Sequence, residues 1–212
     1  MDLARTKTVP APAQSGADSR DLHLRLHLSG RLKSVVPDGY RRLFIALPVP
    51  QETGKQLTPY CAAHETQTGI RWIPAPNRHL TLVFLGHRTE EQTQRAITVV
   101  NGLKAPAFQI ELLSLQRFPD DRGRNLVALP LPCAPLTALQ QQLAAALATQ
   151  GFTLKQRDFR PHITLGKIHR GKWQAVAFSP SITMQAQTVT LFQSQFVENA
   201  ITYQPLASRQ LG

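Results

Sequence analysis

Asn77-Arg78-His79-Leu80-Thr81-Leu82-Val83-Phe84-Leu85-Gly86 is the stretch on which the fold of this 212-residue chain turns. Leu80–Leu85 is a short apolar run closed by a glycine, which reads as a strand rather than a helix. Its opening tetrad, His79-Leu80-Thr81-Leu82, returns in the second half as His162-Ile163-Thr164-Leu165, inside Phe159-Arg160-Pro161-His162-Ile163-Thr164-Leu165-Gly166-Lys167. Side chains alternate between the faces of a strand. His79 and Thr81 therefore point together, as do His162 and Thr164, while Leu80, Leu82, Ile163 and Leu165 point into a core. One strand pattern written twice predicts two related lobes that face each other.

The flanking sequence fills in the elements. Leu43-Phe44-Ile45-Ala46-Leu47 reads as a strand ended by Pro48, residues 51–63 as a helix, and Trp72-Ile73 as an edge strand bounded by Pro74 and Pro76. Thr89 with Gln92 has the form of a capping box and starts a helix over about 90–102. Strands follow at 107–116 and 124–130 around the charged turn Asp120-Asp121-Arg122-Gly123-Arg124. Leu136, Leu139, Leu143, Ala146 and Leu147 recur at helical spacing over 135–149. Residues 182–192 alternate as one stretch, and Tyr203–Leu206 reads as a short closing strand. Without a regular βαβ repeat, the class is α+β with mostly antiparallel sheet. Residues 1–39 have a different, Pro- and Gly-punctuated character and are expected to be a flexible extension; residues 40–212 are expected to be a single catalytic domain.

Composition narrows the partners. There are 24 Lys+Arg against 13 Asp+Glu, a formal net charge of +11. Six basic and four acidic residues lie in 1–39, so most of the excess sits on the body. A field of that sign gathers phosphates, nucleic acid or an anionic surface. No apolar run approaches the ~20 residues that span a bilayer, so no membrane partner is expected. Cys61 and Cys133 lack disulfide-framework or metal-knuckle spacing and read as free thiols of a reducing, cytoplasmic compartment.

Two imidazoles and two hydroxyls on one polar surface suit in-line displacement at phosphorus. One imidazole takes a proton from the nucleophile and the other gives one to the leaving oxygen. The hydroxyls of Thr81 and Thr164 donate to non-bridging oxygens where charge builds. Arg71, Arg78, Arg88, Arg160, Lys167 and Arg170 are nearby sources of positive potential. A zinc site fits less well, because no third ligand recurs beside the histidine pair; no metal and no cofactor are expected. No nucleophile elbow surrounds Ser194 or Cys133. A non-catalytic RNA-binding module and an enzyme for another small phosphodiester are the competing readings.

These motifs resemble the 2H phosphoesterase superfamily, and within it the RNA 2′,3′-cyclic phosphodiesterase, or 2′-5′ RNA ligase, family. The resemblance runs over roughly 41–208, through Arg41–Leu47, Arg71-Trp72-Ile73-Pro74, Asn77–Gly86, Phe159–Lys167, Leu191-Phe192-Gln193-Ser194 and Tyr203. It implies a bilobal fold of two pseudo-symmetric lobes, with antiparallel sheets flanking a central cleft. It also implies hydrolysis of a 2′,3′-cyclic phosphate end to a 2′-phosphomonoester, with a 2′-5′ ligation in some members. His79 would then be the general acid, His162 the general base, and Thr81 and Thr164 the phosphate-binding residues. The symmetry of the two motifs leaves acid and base interchangeable. Arg160, Lys167, Arg78 and Phe44 are candidate substrate contacts. RNA ends, tRNA fragments among them, are the expected partners of a monomer. Two departures stand out. Lys167 replaces the Arg of many members, exchanging a bidentate fork for a point charge, and Arg124–Leu129 lacks the family's common Trp.

Overall fold

The computed structural model describes residues 39–63, 69–155, 157–169, 173–198 and 200–212. The expected extension, apart from Gly39, lies outside the described residues, as does Arg170.

The first half contains strand β1 (Arg41–Pro48), helix α1 (Gln51–Ala62), edge strand β2 (Ile70–Trp72), a 3-10 turn (Ala75–Asn77), β3 (His79–Arg88) and helix α2 (Glu90–Asn101). The second half contains β4 (Phe108–Phe118), β5 (Asn125–Pro130), helix α3 (Ala134–Thr149), β6 (Ile163–Ile168) and β7 (Val176–Ala186). β8 (Thr188–Val197) and β9 (Ala200–Gln210) then return to the first half. Strand order is β7-β4-β5-β6-β3-β1-β8-β9, with β2 added onto β6, and every pairing is antiparallel. Along this order four strands stand on each side of the β3/β6 seam, with β2 a ninth on the β6 side, so the expected bilobal α+β fold is present. The seam itself is one registered pair, Leu80 opposite Ile163.

Local chemistry accounts for the helices. Thr89 Oγ1 accepts from Gln92 N at 3.3 Å and Gln92 Oε1 accepts from Thr89 N at 3.1 Å, so both arms of the capping box close. Glu90 and Glu91 in the first turn complement the helix dipole. In α3, Leu136, Leu139, Leu143 and Leu147 form the buried stripe, each worth roughly 1.5–3 kcal/mol of burial. They join Leu43, Ile45, Leu80, Leu82, Ile163 and Leu165 in one core.

Three sequence expectations need adjustment. Residues 182–192 are not one strand: the chain breaks at Gln187, with β7 pairing to β4 in one half and β8 to β1 in the other. Continuous alternation across the break hid the change of partner. The closing segment is a full-length strand, because β9 pairs with β8 from Thr188 opposite Gln210 to Val197 opposite Ala200. β3 and β6 run past Gly86 and Gly166, because bulges rather than ends stand there: one in β6 and two in β3, the second leaving Leu85 extra between Phe84 opposite Phe44 and Gly86 opposite Leu43. Thr81 faces Ala46 but Val83 faces Ile45, and Thr164 faces Val127 but Gly166 faces Leu126. The extra residue, Leu82 or Leu165, resets the alternation. After it, Phe84 and Lys167 return to the face carrying Thr81 and Thr164.

Candidate active site

Pairing Leu80 with Ile163 in an antiparallel sense runs the flanking residues crosswise, His79 on the side of Thr164 and Thr81 on the side of His162. His79 is the first residue of β3, whereas His162 directly precedes β6. Both histidines and both threonines are half-buried, while Leu80 and Ile163 between them are fully buried. The two imidazoles are close enough for charge on His162 to bear on His79.

Each ring is oriented by the same local device. His79 Nδ1 lies 2.8 Å from the carbonyl oxygen of Asn77, and His162 Nδ1 lies 2.8 Å from that of Arg160. A carbonyl oxygen only accepts, so Nδ1 carries the proton and donates it in both. In the neutral ring this leaves the Nε2 lone pair for the reaction. Burial is the largest influence on both groups and holds each pKa below the ordinary 6.5. The backbone hydrogen bond opposes it, and the other histidine (for His79) or Arg160 (for His162) adds to it.

The rings rest on different beds. His79 packs against Phe44, with centroids 4.7 Å apart, and meets the edge of Tyr203 at 5.0 Å; Phe44 stacks on Phe192 at 5.3 Å. His162 stacks directly on Phe118 at 4.1 Å, and the Arg160 guanidinium lies 4.7 Å from the same ring. Arg160 is anchored by donating from Nη2 to the Pro119 carbonyl at 2.8 Å. The sheet register makes Phe192 and Phe118 equivalents in the two halves, opposite Phe44 and Asn125 respectively.

The four proposed candidates for substrate contact separate. Arg160 sits beside His162, and the bulge brings Lys167 onto the Thr164 face. Phe44 is 4% exposed and supports His79 from beneath. Arg78 does not join them. It is buried at 7% exposure and donates from Nε to the Ile73 carbonyl at 3.1 Å, with Nη2 3.8 Å from Cys61 Sγ in α1. It faces away from His79 because adjacent strand residues point to opposite sides. Arg88 is likewise remote, its guanidinium lying over Phe152. Phe118, beneath His162, and Arg42 were not among the candidates. The Arg42 guanidinium lies 5.3 Å from the ring centre of Phe84, which is 54% exposed.

Among the described residues, no group of three or more His, Cys, Asp or Glu is disposed to hold a metal ion, and no helix is long and apolar enough to cross a membrane.

Comparison with known proteins agrees with this geometry. The profile described as the 2′-5′ RNA ligase superfamily matches residues 51–194. An RNA 2′,3′-cyclic phosphodiesterase of Escherichia coli is 29% identical over 175 residues, which is 78% of this chain and 94% of that protein. One from Bacillus subtilis is 25% identical, covering 74% and 90%. The crystal structure of E. coli LigT in apo form matches with a TM-score of 0.70 at 27% identity, over 82% of this chain and 98% of that one. With the paired histidine–threonine strands in place and the match running through both of them, the chain belongs to the 2′-5′ RNA ligase superfamily, within the 2H phosphoesterases.

Proposed function

We propose that this protein hydrolyses the 2′,3′-cyclic phosphate at an RNA end to a 2′-phosphomonoester, with His79 and His162 as acid and base. The observation that carries the reading is the matched pair of imidazoles, each with Nδ1 bound to its own backbone carbonyl at 2.8 Å and Nε2 left for the substrate. The strand register adds a threonine on the side of each. The relatives named above share the activity by name, and E. coli LigT has also been crystallised with 3′-AMP.

In the proposed reaction, water attacks phosphorus opposite O3′. Nε2 of His162 takes the water proton as the P–O forms. Nε2 of His79, protonated, gives its proton to O3′ as P–O3′ breaks, leaving a 2′-phosphate and a free 3′-hydroxyl. Thr81 and Thr164 donate hydrogen bonds to the two non-bridging oxygens, where charge increases. The assignment of acid to His79 follows the family likeness. Both proton transfers are met by imidazole, so the mechanism requires no metal. With a 5′-hydroxyl RNA end in place of water, the same groups support 2′-5′ ligation: the 5′ oxygen attacks phosphorus as His162 takes its proton, and P–O3′ breaks as His79 protonates O3′. Lys167 and Arg160 add positive charge on one side, and exposed Phe84 gives the terminal base a stacking surface that does not select its identity. We further propose that tRNA fragments are among the substrates. The working unit is read as the single domain 40–212, acting as a monomer in the reducing cytoplasm that free Cys61 and Cys133 suit.

The test is incubation in EDTA with an oligoribonucleotide ending in a 2′,3′-cyclic phosphate, and identification of the product. A 2′-phosphate is expected. A 3′-phosphate, or no turnover, overturns the proposal.

A further inference from the structure

Beyond His79 runs a row of side chains of which only Tyr203 touches the imidazole. Arg42 of β1 is registered opposite Ser194 of β8, and Ser194 opposite Tyr203 of β9. Residues directly opposite in a sheet share a face. The row therefore lies on the same face as Phe44 and Phe192, which pack beside His79. It presents a guanidinium and two hydroxyls. All three residues are half-buried. Among the described residues, Arg42 has no ion pair: the ion pair at this end of β1 is made by Arg41 with Glu90 at 2.7 Å. The charge of Arg42 is felt at Tyr203 and at His87, which places it between the hairpin and the end of β3. Its guanidinium is held over the Phe84 ring.

A cation without a carboxylate, flanked by two hydroxyl donors, has the chemistry of an anion subsite. Its position fits a particular anion. Arg42 lies four residues along β1 from Ala46, which pairs with Thr81, or roughly 13 Å of strand. The long arginine side chain reaches back over part of that span to Phe84. What remains of that span is of the order of one nucleotide, so a terminal nucleoside with its cyclic phosphate between the histidines would bring its 5′ oxygen toward the row.

We propose that Arg42, with Ser194 and Tyr203, binds the phosphodiester on the 5′ side of the terminal nucleotide. The subsite makes the enzyme prefer RNA chains over free cyclic mononucleotides. This rests on the cyclic phosphodiesterase reading and adds the recognition of chain continuity to it. The single charged contact is expected to be worth about tenfold in kcat/KM.

The experiment compares three substrates on the wild-type protein: a 2′,3′-cyclic mononucleotide, the dinucleotide carrying the same end, and that dinucleotide with an uncharged methylphosphonate linkage. The charged dinucleotide is expected to be about tenfold better than the other two. Its advantage should fall with salt, with a slope near −0.7 for one contact to a single strand. In R42Q, the dinucleotide should fall to the level of the mononucleotide. Equal efficiency on all three wild-type substrates overturns the subsite while leaving the phosphodiesterase reading standing. An advantage that survives methylphosphonate substitution also overturns it, since a base rather than a phosphate would then be bound. Turnover of none of them overturns the phosphodiesterase reading and this proposal with it.

Discussion

The pH dependence of turnover should carry the signature of two desolvated imidazoles. The active free enzyme holds one histidine charged and the other neutral, and kcat/KM follows the population of that form. Burial disfavours the charged ring in both cases, and charge on His162 disfavours charge on His79. The pair therefore titrates with two apparent values, both below the ordinary 6.5. The optimum of kcat/KM should lie on the acid side of pH 6.5. Above it, the proton needed by the leaving oxygen is lost, and the rate constant should fall about tenfold per pH unit, roughly a hundredfold between pH 6.5 and 8.5. A bound phosphate carries negative charge into the site and raises these values again. The alkaline limb of kcat should therefore stand at higher pH than that of kcat/KM, each unit of separation corresponding to 1.36 kcal/mol of preferential binding to the charged pair. Initial rates on a cyclic mononucleotide from about pH 5 to about pH 9, at constant ionic strength with EDTA, measure both limbs. A kcat/KM that stays flat or rises between pH 7 and pH 9 would refute the reasoning.

Other consequences are equally direct. His79→Ala and His162→Ala should each lose about 10³-fold in kcat/KM while keeping the wild-type circular dichroism spectrum; activity near wild type in either removes the two-histidine mechanism. A substrate with sulfur at the 3′ position, a leaving group that needs less protonation, should restore much of the loss in His79→Ala and little in His162→Ala, which separates acid from base. The same lowered pKa values mean that the unfolded chain binds more protons at these histidines than the folded one just below pH 6.5. Stability should rise with pH through that window and level off above it, and thermal melts of the double alanine variant should show a shallower rise. At Gly123 an added Cβ runs into the Phe118 carbonyl. Gly123→Ala should therefore shift the backbone that carries the ring beneath His162, lowering stability by about 1–3 kcal/mol and reducing turnover, as read by melting and rate assays. At Gly166 the new Cβ would meet the Trp72 ring at 3.0 Å, and Gly166→Ala should be destabilising with a changed tryptophan fluorescence spectrum.

Much of the site was legible because it is written twice. The tetrads at His79 and His162 identify the two halves, and alternation alone puts histidine and threonine on one face with leucine or isoleucine on the other, as the burial of Leu80 and Ile163 shows. Alternation also misled. It carried smoothly through Gln187, where the chain exchanges one set of strand partners for another, because periodicity reports a face and not a neighbour. The bulges at Leu82 and Leu165 were visible only as two successive apolar or small residues, Leu82-Val83 and Leu165-Gly166, whose meaning depends on register. Proximity in sequence to His79 made Arg78 attractive as a substrate contact, yet adjacency in a strand is what turns it away, toward Cys61. Phe118 and Arg42 come from other strands, and their approach to His162 and Phe84 is a property of sheet order that no local pattern contains.

The carbonyl that holds each imidazole comes from two residues earlier in the same segment, so each half-site carries its own orientation and borrows none from its counterpart. A segment of this kind facing a second one presents two aimed imidazoles, and this chain carries two such segments. Its equivalent positions have parted in kind: phenylalanine at Phe84 against Lys167, and at Phe44 against Asn125. At these two positions one side is aromatic and the other polar or cationic. A symmetric pair of acids and bases would offer a phosphodiester the same side chains in either direction; here the two directions meet different ones.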